Sequence, residues 1–344
     1  MNLHISRSVF GLLTLTSLTS LPVFSQSVLL ASKTVDFAKI ADVAPPKATT
    51  TLVNPVRCDK AGNVYYRNFT ATGPSREVTR VSQDGSEVSL FSPDASEPNN
   101  SILDFAVSGS GFVYLLQGVG FDTQLLSFQP DGTLLFKVKL QMPGLVIPHK
   151  LALFSSGRIF VYGTKLWKEQ PGYARPFMGI FNSDGTFVKK VVAEEIPDGS
   201  TLAAVNPLFK GDSPRAVIAL ALTPVASFDD TVYIVDPTLT PELIAISSEG
   251  KILSHSSVPG MEPGFVVTGL KTSGISAVLE MNSNGKNSAR ESRYLTYSLI
   301  NKVAGSQFAM SGVGALACYS DEGSMTFLKT SGGSKLSLIM GSAH

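Results

Sequence analysis

Short apolar strings recur along this chain, each arriving on a turn of small polar residues and glycine. DKAG ends at Gly62, SGSG at Gly111, SSG at Gly157, TSG at Gly274 and DEG at Gly323. The strings that follow are NVYYRNF, FVYLLQG, RIFVYGT, ISAVLEM and SMTFLKT. A sixth, Thr231 to Val235, follows Asp229-Asp230. Their β-branched and aromatic residues suit a half-buried pleated strand. A second turn alternates with the first, as QDG at 83–85, PDG at 130–132, SDG at 183–185 and SEG at 248–250, with a degenerate fifth member expected at Lys302 to Gly305. Asp-Gly suits hairpins because glycine takes positive φ without a Cβ clash and Asp tolerates it. No amphipathic helical period intervenes, so the pattern predicts an all-β chain.

The first turn recurs at intervals of 49, 46, 73, 44 and 49 residues. Four of the five match a unit of four strands, about 40–50 residues long. The long interval carries a polar insertion around Glu194 to Asp212. Six such units predict a single six-bladed β-propeller of four-stranded blades over residues 49–344. The last unit is one strand short, and a strand within residues 26–48 (Ser27 to Ala31 or Thr34 to Ile40) is expected to close the ring and cover the open edge.

The alternation of polar-Gly-VYV with LLxFxxDG resembles NHL-repeat and gluconolactonase-like six-bladed propellers, over about residues 50–340. The resemblance is to the superfamily. Of the Asp that NHL repeats carry after the VYV strand, only Asp236 matches; the other strands run into Arg67-Asn68, Gln117-Gly118 and Gly163-Thr164. For the lactonase-type members the resemblance implies a divalent metal held by carboxylate and Asn ligands at the channel mouth, and the full ligand set has no counterpart here.

Residues 1–25 read as a cleavable export signal. Arg7 precedes an uncharged apolar run from Val9 to Leu21, and Val23-Phe24-Ser25 places a cleavage site before Gln26. The run is too short for a membrane span of about 20 residues, and no later segment has the length. Export to a periplasmic or extracellular compartment is the expectation. Across all 344 residues there are 28 Lys+Arg and 27 Asp+Glu. This balance lacks the basic footprint of a nucleic-acid binder. With 43% hydrophobic residues the chain can fill a large core and is not expected to be disordered. A monomer without a membrane span is expected.

Motifs for chemistry are sparse. His149 and His255 stand far apart, with no HxH, HxxxH or CxxC spacing, so no transition-metal site is expected. No cofactor is predicted, although loop oxygens could hold Ca²⁺ or another divalent ion; no DxDxDG string is present. A GxSxG elbow and a phosphate-cradling glycine loop are also absent. The sequons at Asn68 and Asn99 carry meaning only in a eukaryotic secretory pathway.

Loop length is more informative. The turns joining strands one to two and three to four are tight, whereas the two-to-three loops and blade-to-blade connections are long. Ligand contacts therefore point to the second set, because binding residues favour loops on a rigid scaffold. Residues 163–176 hold the only Trp, Trp167, with Lys168, Tyr173 and Arg175, and the connection before them brings His149 and Lys150. That is the composition of a contact hot spot, while a Trp sealing a blade is the alternative. Asn54, Arg57, Asn100, Asp104 and Glu262 are expected near the starts of innermost strands, around the channel mouth, unless they serve as caps.

Cys58 and Cys318 are the only cysteines, and fall at near-equivalent places in the first and last units. An oxidising compartment permits a disulfide between them, and two buried free thiols are the alternative. Two functions of different class follow. The preferred one is a non-enzymatic exported propeller whose loop-rich face binds a protein, peptide or glycan. The other is a lactonase-like hydrolase or lyase with a metal at the channel mouth.

Overall fold

Each apolar string becomes the second strand of an antiparallel sheet, and there are six such sheets. The computed structural model describes residues 35–43, 52–70, 73–93, 100–166, 174–191, 223–236, 241–258, 265–283, 292–310, 312–320, 322–331 and 335–343. No helix occurs among them.

Strand β1 is Val35–Val43. The first sheet runs β2 (Leu52–Cys58), β3 (Val64–Thr70), β5 (Val78–Val81), β6 (Val88–Phe91), with the short β4 (Gly73–Pro74) also paired to β3. The second is β7 (Ser101–Val107), β8 (Val113–Val119), β9 (Asp122–Phe128), β10 (Leu134–Lys139). The third is β11 (Val146–Leu153), β12 (Ile159–Leu166), β13 (Ala174–Phe181), β14 (Phe187–Lys190). The fourth is β15 (Val225–Phe228), β16 (Thr231–Asp236), β17 (Glu242–Ser247), β18 (Ile252–Ser257). The fifth is β19 (Phe265–Ser273), β20 (Ser276–Ser283), β21 (Ser292–Ser298), β22 (Val303–Met310). The sixth is β23 (Ala315–Tyr319), β24 (Ser324–Ser331), β25 (Lys335–Ala343), and its fourth strand is β1. Strand β1 pairs antiparallel to β25 from Val35↔Ala343 to Val43↔Leu336. The expected strand at Thr34 to Ile40 overlaps β1, and Ser27 to Ala31 lies outside the described residues.

The first strands of the sheets touch in cyclic order, β2 to β7, β7 to β11, and so on round to β23 and back to β2. The chain is a six-bladed β-propeller. Its core is divided accordingly into six apolar clusters, one at each blade interface. Between blades one and two, Tyr65, Phe91, Phe105 and Phe128 are fully buried, with Phe91 and Phe128 edge to face at 6.2 Å. Between blades six and one, Val56, Tyr66 and Val81 meet Ala317, Leu336 and Leu338. Blades twist and splay from the axis, so large side chains fill the widening gap between them.

Hairpin turns close each blade at one end. In the first kind, Gly62, Gly111, Gly157 and Gly323 take φ near +80°, and Asp229, at 46°, takes the same region in the fourth blade. The Asp-Gly turns behave alike, with the Asp84, Asp131 and Asp184 carboxylates accepting the N–H two residues on. The fifth turn differs from expectation. Lys302, at φ 56°, ends the turn with its N–H bonded to Ser298, and Gly305 lies inside β22. All these tight turns lie at one end of the strands. The two-to-three loops and sheet-to-sheet connections leave from the other end.

Candidate binding site

Counting from the closing pair of each first hairpin gives one equivalent position per innermost strand. Two residues in from Asp59, Ser108, Phe154, Phe228, Ser273 and Ser320 stand Arg57, Ala106, Ala152, Ala226, Lys271 and Cys318. The three alanines are buried in inter-blade cores. The other three sit on blades five, six and one, which are consecutive around the ring. At this position, polar side chains therefore mark blades five, six and one.

Arg57 reaches over two neighbouring blades. Its guanidinium pairs with Asp104 of β7 at 3.1 Å and donates to the Leu151 carbonyl of β11 at 3.2 Å. The Leu151 N–H donates back to the same Asp104 oxygen at 2.8 Å. Asp104 has a fully buried side chain, and Arg57 is 13% exposed. Burial on this scale demands pairing, because an isolated charge loses its hydration without return. Pairing is nonetheless incomplete. Asp104 Oδ1 and Arg57 Nε have no partner among the described residues.

Lys150, on β11, points its charge into the same cluster. Burial lowers its pKa, the Asp104 carboxylate opposes that shift and Arg57 adds to it. It makes no ion pair among the described residues. His149, beside it, is the extra residue where β11 slips register between Pro148 and Lys150. Such a bulge re-aims a side chain, and the His149 ring bonds Thr164 Oγ1 at 2.8 Å. Burial, with the Lys150 charge, brings its pKa down to about 4. Strands β7 and β19 slip at the corresponding place, and β23 slips two residues nearer its turn.

From blade five, Lys271 donates to the Val56 carbonyl of blade one, and burial, with the Arg57 charge, lowers its pKa to about 8. Glu280 of β20 faces it, its own pKa raised by burial. Gly269 makes room for that carboxyl. A Cβ there would stand 2.8 Å from Glu280 Oε2.

These positions sort the expected site residues. Asp104, Lys150, Arg57 and His149 come together near the axis. Arg57 is not near the start of its strand but sixth of seven, because β2 is irregular between Val53 and Arg57 and delivers it toward the turn end. Asn100 is buried immediately before β7. Asn54 is placed by its backbone in β2, and Arg175 by its backbone in β13 opposite Lys165. Trp167, Lys168, Tyr173 and Glu262 lie outside the described residues.

Lys271 and Glu280 were not anticipated, although each is a lone charge inside an otherwise apolar strand string. Phe121 was missed too. It stands fully exposed beside Gly120 in the two-residue loop joining β8 to β9, on the end of the long connections. A cleft of about 230 Å³ between blades four and five, lined by Tyr233, Leu253, Tyr297 and Lys302, is remote from these groups. Among the described residues no group of three or more His, Cys, Asp or Glu could hold a metal. Asp104, a carboxylate near the axis, is already committed to Arg57 and the Leu151 N–H.

No protein-family model matches the chain, and no curated protein does. Solved structures do resemble it. Hydrazine synthase of Kuenenia stuttgartiensis aligns at 9% identity over 82% of this chain and 78% of that one, with a TM-score of 0.46. A protein of unknown function from Bacteroides caccae aligns at 10% identity over 74% and 85%, at 0.45. The β-propeller domain of the Trilobed protease from Pyrococcus furiosus, described as having an open velcro topology, aligns at 10% over 83% and 78%, at 0.44.

Two outcomes follow. Asp104→Ala should cost about 3–5 kcal/mol in urea unfolding, the scale for stranding one buried charge, and Asp104→Asn should cost less because it can still accept the Leu151 N–H. His149 has a folded pKa below its unfolded one, so its contribution is present above about pH 6.5 and is lost as pH falls toward 4. Stability measured from pH 7 to 4 should therefore drop more steeply in the natural chain than in His149→Gln.

Proposed function

We propose that this is an exported, non-enzymatic binding propeller that takes a peptide or glycan along its axis, entered from the long-connection face, with an anionic group of the ligand held among the innermost strands. The observation that carries the proposal is the unmatched cluster formed by Lys150, Asp104 Oδ1 and Arg57 Nε. It offers an ammonium without a carboxylate of its own, a buried acceptor and a buried donor. Buried polar groups are normally satisfied. A carboxylate beside a hydroxyl or amine, as on an acidic sugar or a peptide terminus, supplies the complementary set. Phe121 offers an apolar contact at the long-connection end, where such a ligand would enter. The signal-like residues 1–25 support export, to a periplasmic or extracellular compartment.

The test is titration calorimetry against acidic oligosaccharides and short peptides, with their neutral counterparts as controls. An acidic compound should bind, and Lys150→Met should weaken it at least tenfold, about 1.4 kcal/mol. Phe121→Ala should weaken it without lowering the melting temperature. Equal binding of neutral and acidic compounds, indifference to Lys150→Met, or turnover of a bound lactone would overturn the proposal.

A further inference from the structure

The two thiols meet at the seam of the ring. Cys58 ends β2 of blade one, and Cys318 is on β23 of blade six, the strand that packs beside β2. Each thiol acts electrostatically on the other, and the Tyr319 backbone acts on the Cys58 sulfur as well. Lys271 adds its charge from blade five. It is anchored on the carbonyl of Val56, two residues before Cys58, and acts on both sulfurs. Both thiols are free and half-buried rather than sealed.

The pair is asymmetric. The Cys318 thiol, the Lys271 ammonium and the Tyr319 N–H all favour negative charge on Cys58, and its pKa falls below the ordinary thiol value. Burial and the adjacent Cys58 sulfur push Cys318 well above it. Thiolate character decides which sulfur attacks.

We propose that Cys58 and Cys318 form a dithiol–disulfide couple across the blade six–blade one seam, oxidised by exchange with a disulfide-bearing co-reactant, with Cys58 the attacking sulfur and Cys318 the resolving one. The Cys58 thiolate attacks one sulfur of the incoming disulfide, forming a mixed disulfide and expelling one thiolate. Cys318 then gives up its proton and attacks the Cys58 sulfur. The second thiolate leaves, and the protons of both cysteines end on the two leaving groups. Two protein thiols are oxidised and one external disulfide is reduced to two thiols. The product ties the first blade to the last, which constrains the unfolded chain over a very long loop.

The reduced protein equilibrated with oxidised glutathione tests this. The natural chain should lose both thiols, gain no glutathione mass and stay monomeric. Cys318→Ser should accumulate one glutathione on Cys58, since nothing resolves it, whereas Cys58→Ser should react at Cys318 at least tenfold more slowly. Lys271→Met should slow alkylation of Cys58 at pH 7, and circular dichroism of each variant checks that the blades remain. Two surviving thiols after equilibration, a stable glutathione adduct on the natural chain, or equal reactivity of the two single-serine variants would overturn the proposal.

Discussion

A ring of sheets depends on one junction, the place where the last blade meets the first. Each other blade interface joins segments close in sequence. This one must bring β23 against β2 and hold them there while β1 pairs with β25 at the rim. The constraint is physical, because a sheet leaves unpaired N–H and C=O groups along any uncovered edge. Strand β1 covers that edge of β25, and the next described strand, β2, opens blade one beside β23. The apolar cluster from Val43 and Val56 to Leu336 and Leu338 then forms on both sides of the seam.

The polar axis follows from the same closure. Lys271 finds the Val56 carbonyl, and Cys58 finds Cys318, only if blades five, six and one stand in sequence around the axis. Arg57 continues the chain of contacts, through Asp104 to the Leu151 backbone, so long side chains bind blade five to blade one and blade one to blade three. The matching positions on blades two, three and four are alanines, and blades two and three contribute Asp104 and Lys150 from other positions of their innermost strands. A binding reading rests on the surplus cation and the unpartnered atoms of this network, and a redox reading rests on its thiols.

Much of this was legible in the sequence because it repeats. The turn glycines and VYV-type strings fixed the blade number, and the short last unit pointed to an added strand. Turn chemistry was less secure where glycine is missing, as at Lys302, which adopts a left-handed backbone that its side chain does not advertise. Asp104 was recognisable as a polar residue on an innermost strand, whereas Lys150 and His149 were expected in the connection before the third unit and lie within β11. What they touch was not, because Arg57 contacts Leu151 across two blades and the irregularity in β2 decides how far Arg57 reaches. Lys271 and Glu280 betray themselves only as charges within apolar strings, a signal that reads equally as an exposed strand position until the register is known.

Hydrogen exchange on two chains, one starting at Gln26 and one at Ala44, tests the closure most directly. With β1 present, amides along β25 from Leu336 to Ser342 should be protected and urea unfolding should be a single transition. Without β1, the β25 amides that bond to it should lose protection while those bonded to β24 keep it, and the blade six–blade one seam should open at lower urea than the rest. Equal protection of β25 in the two chains, with an unchanged unfolding midpoint, would contradict the account.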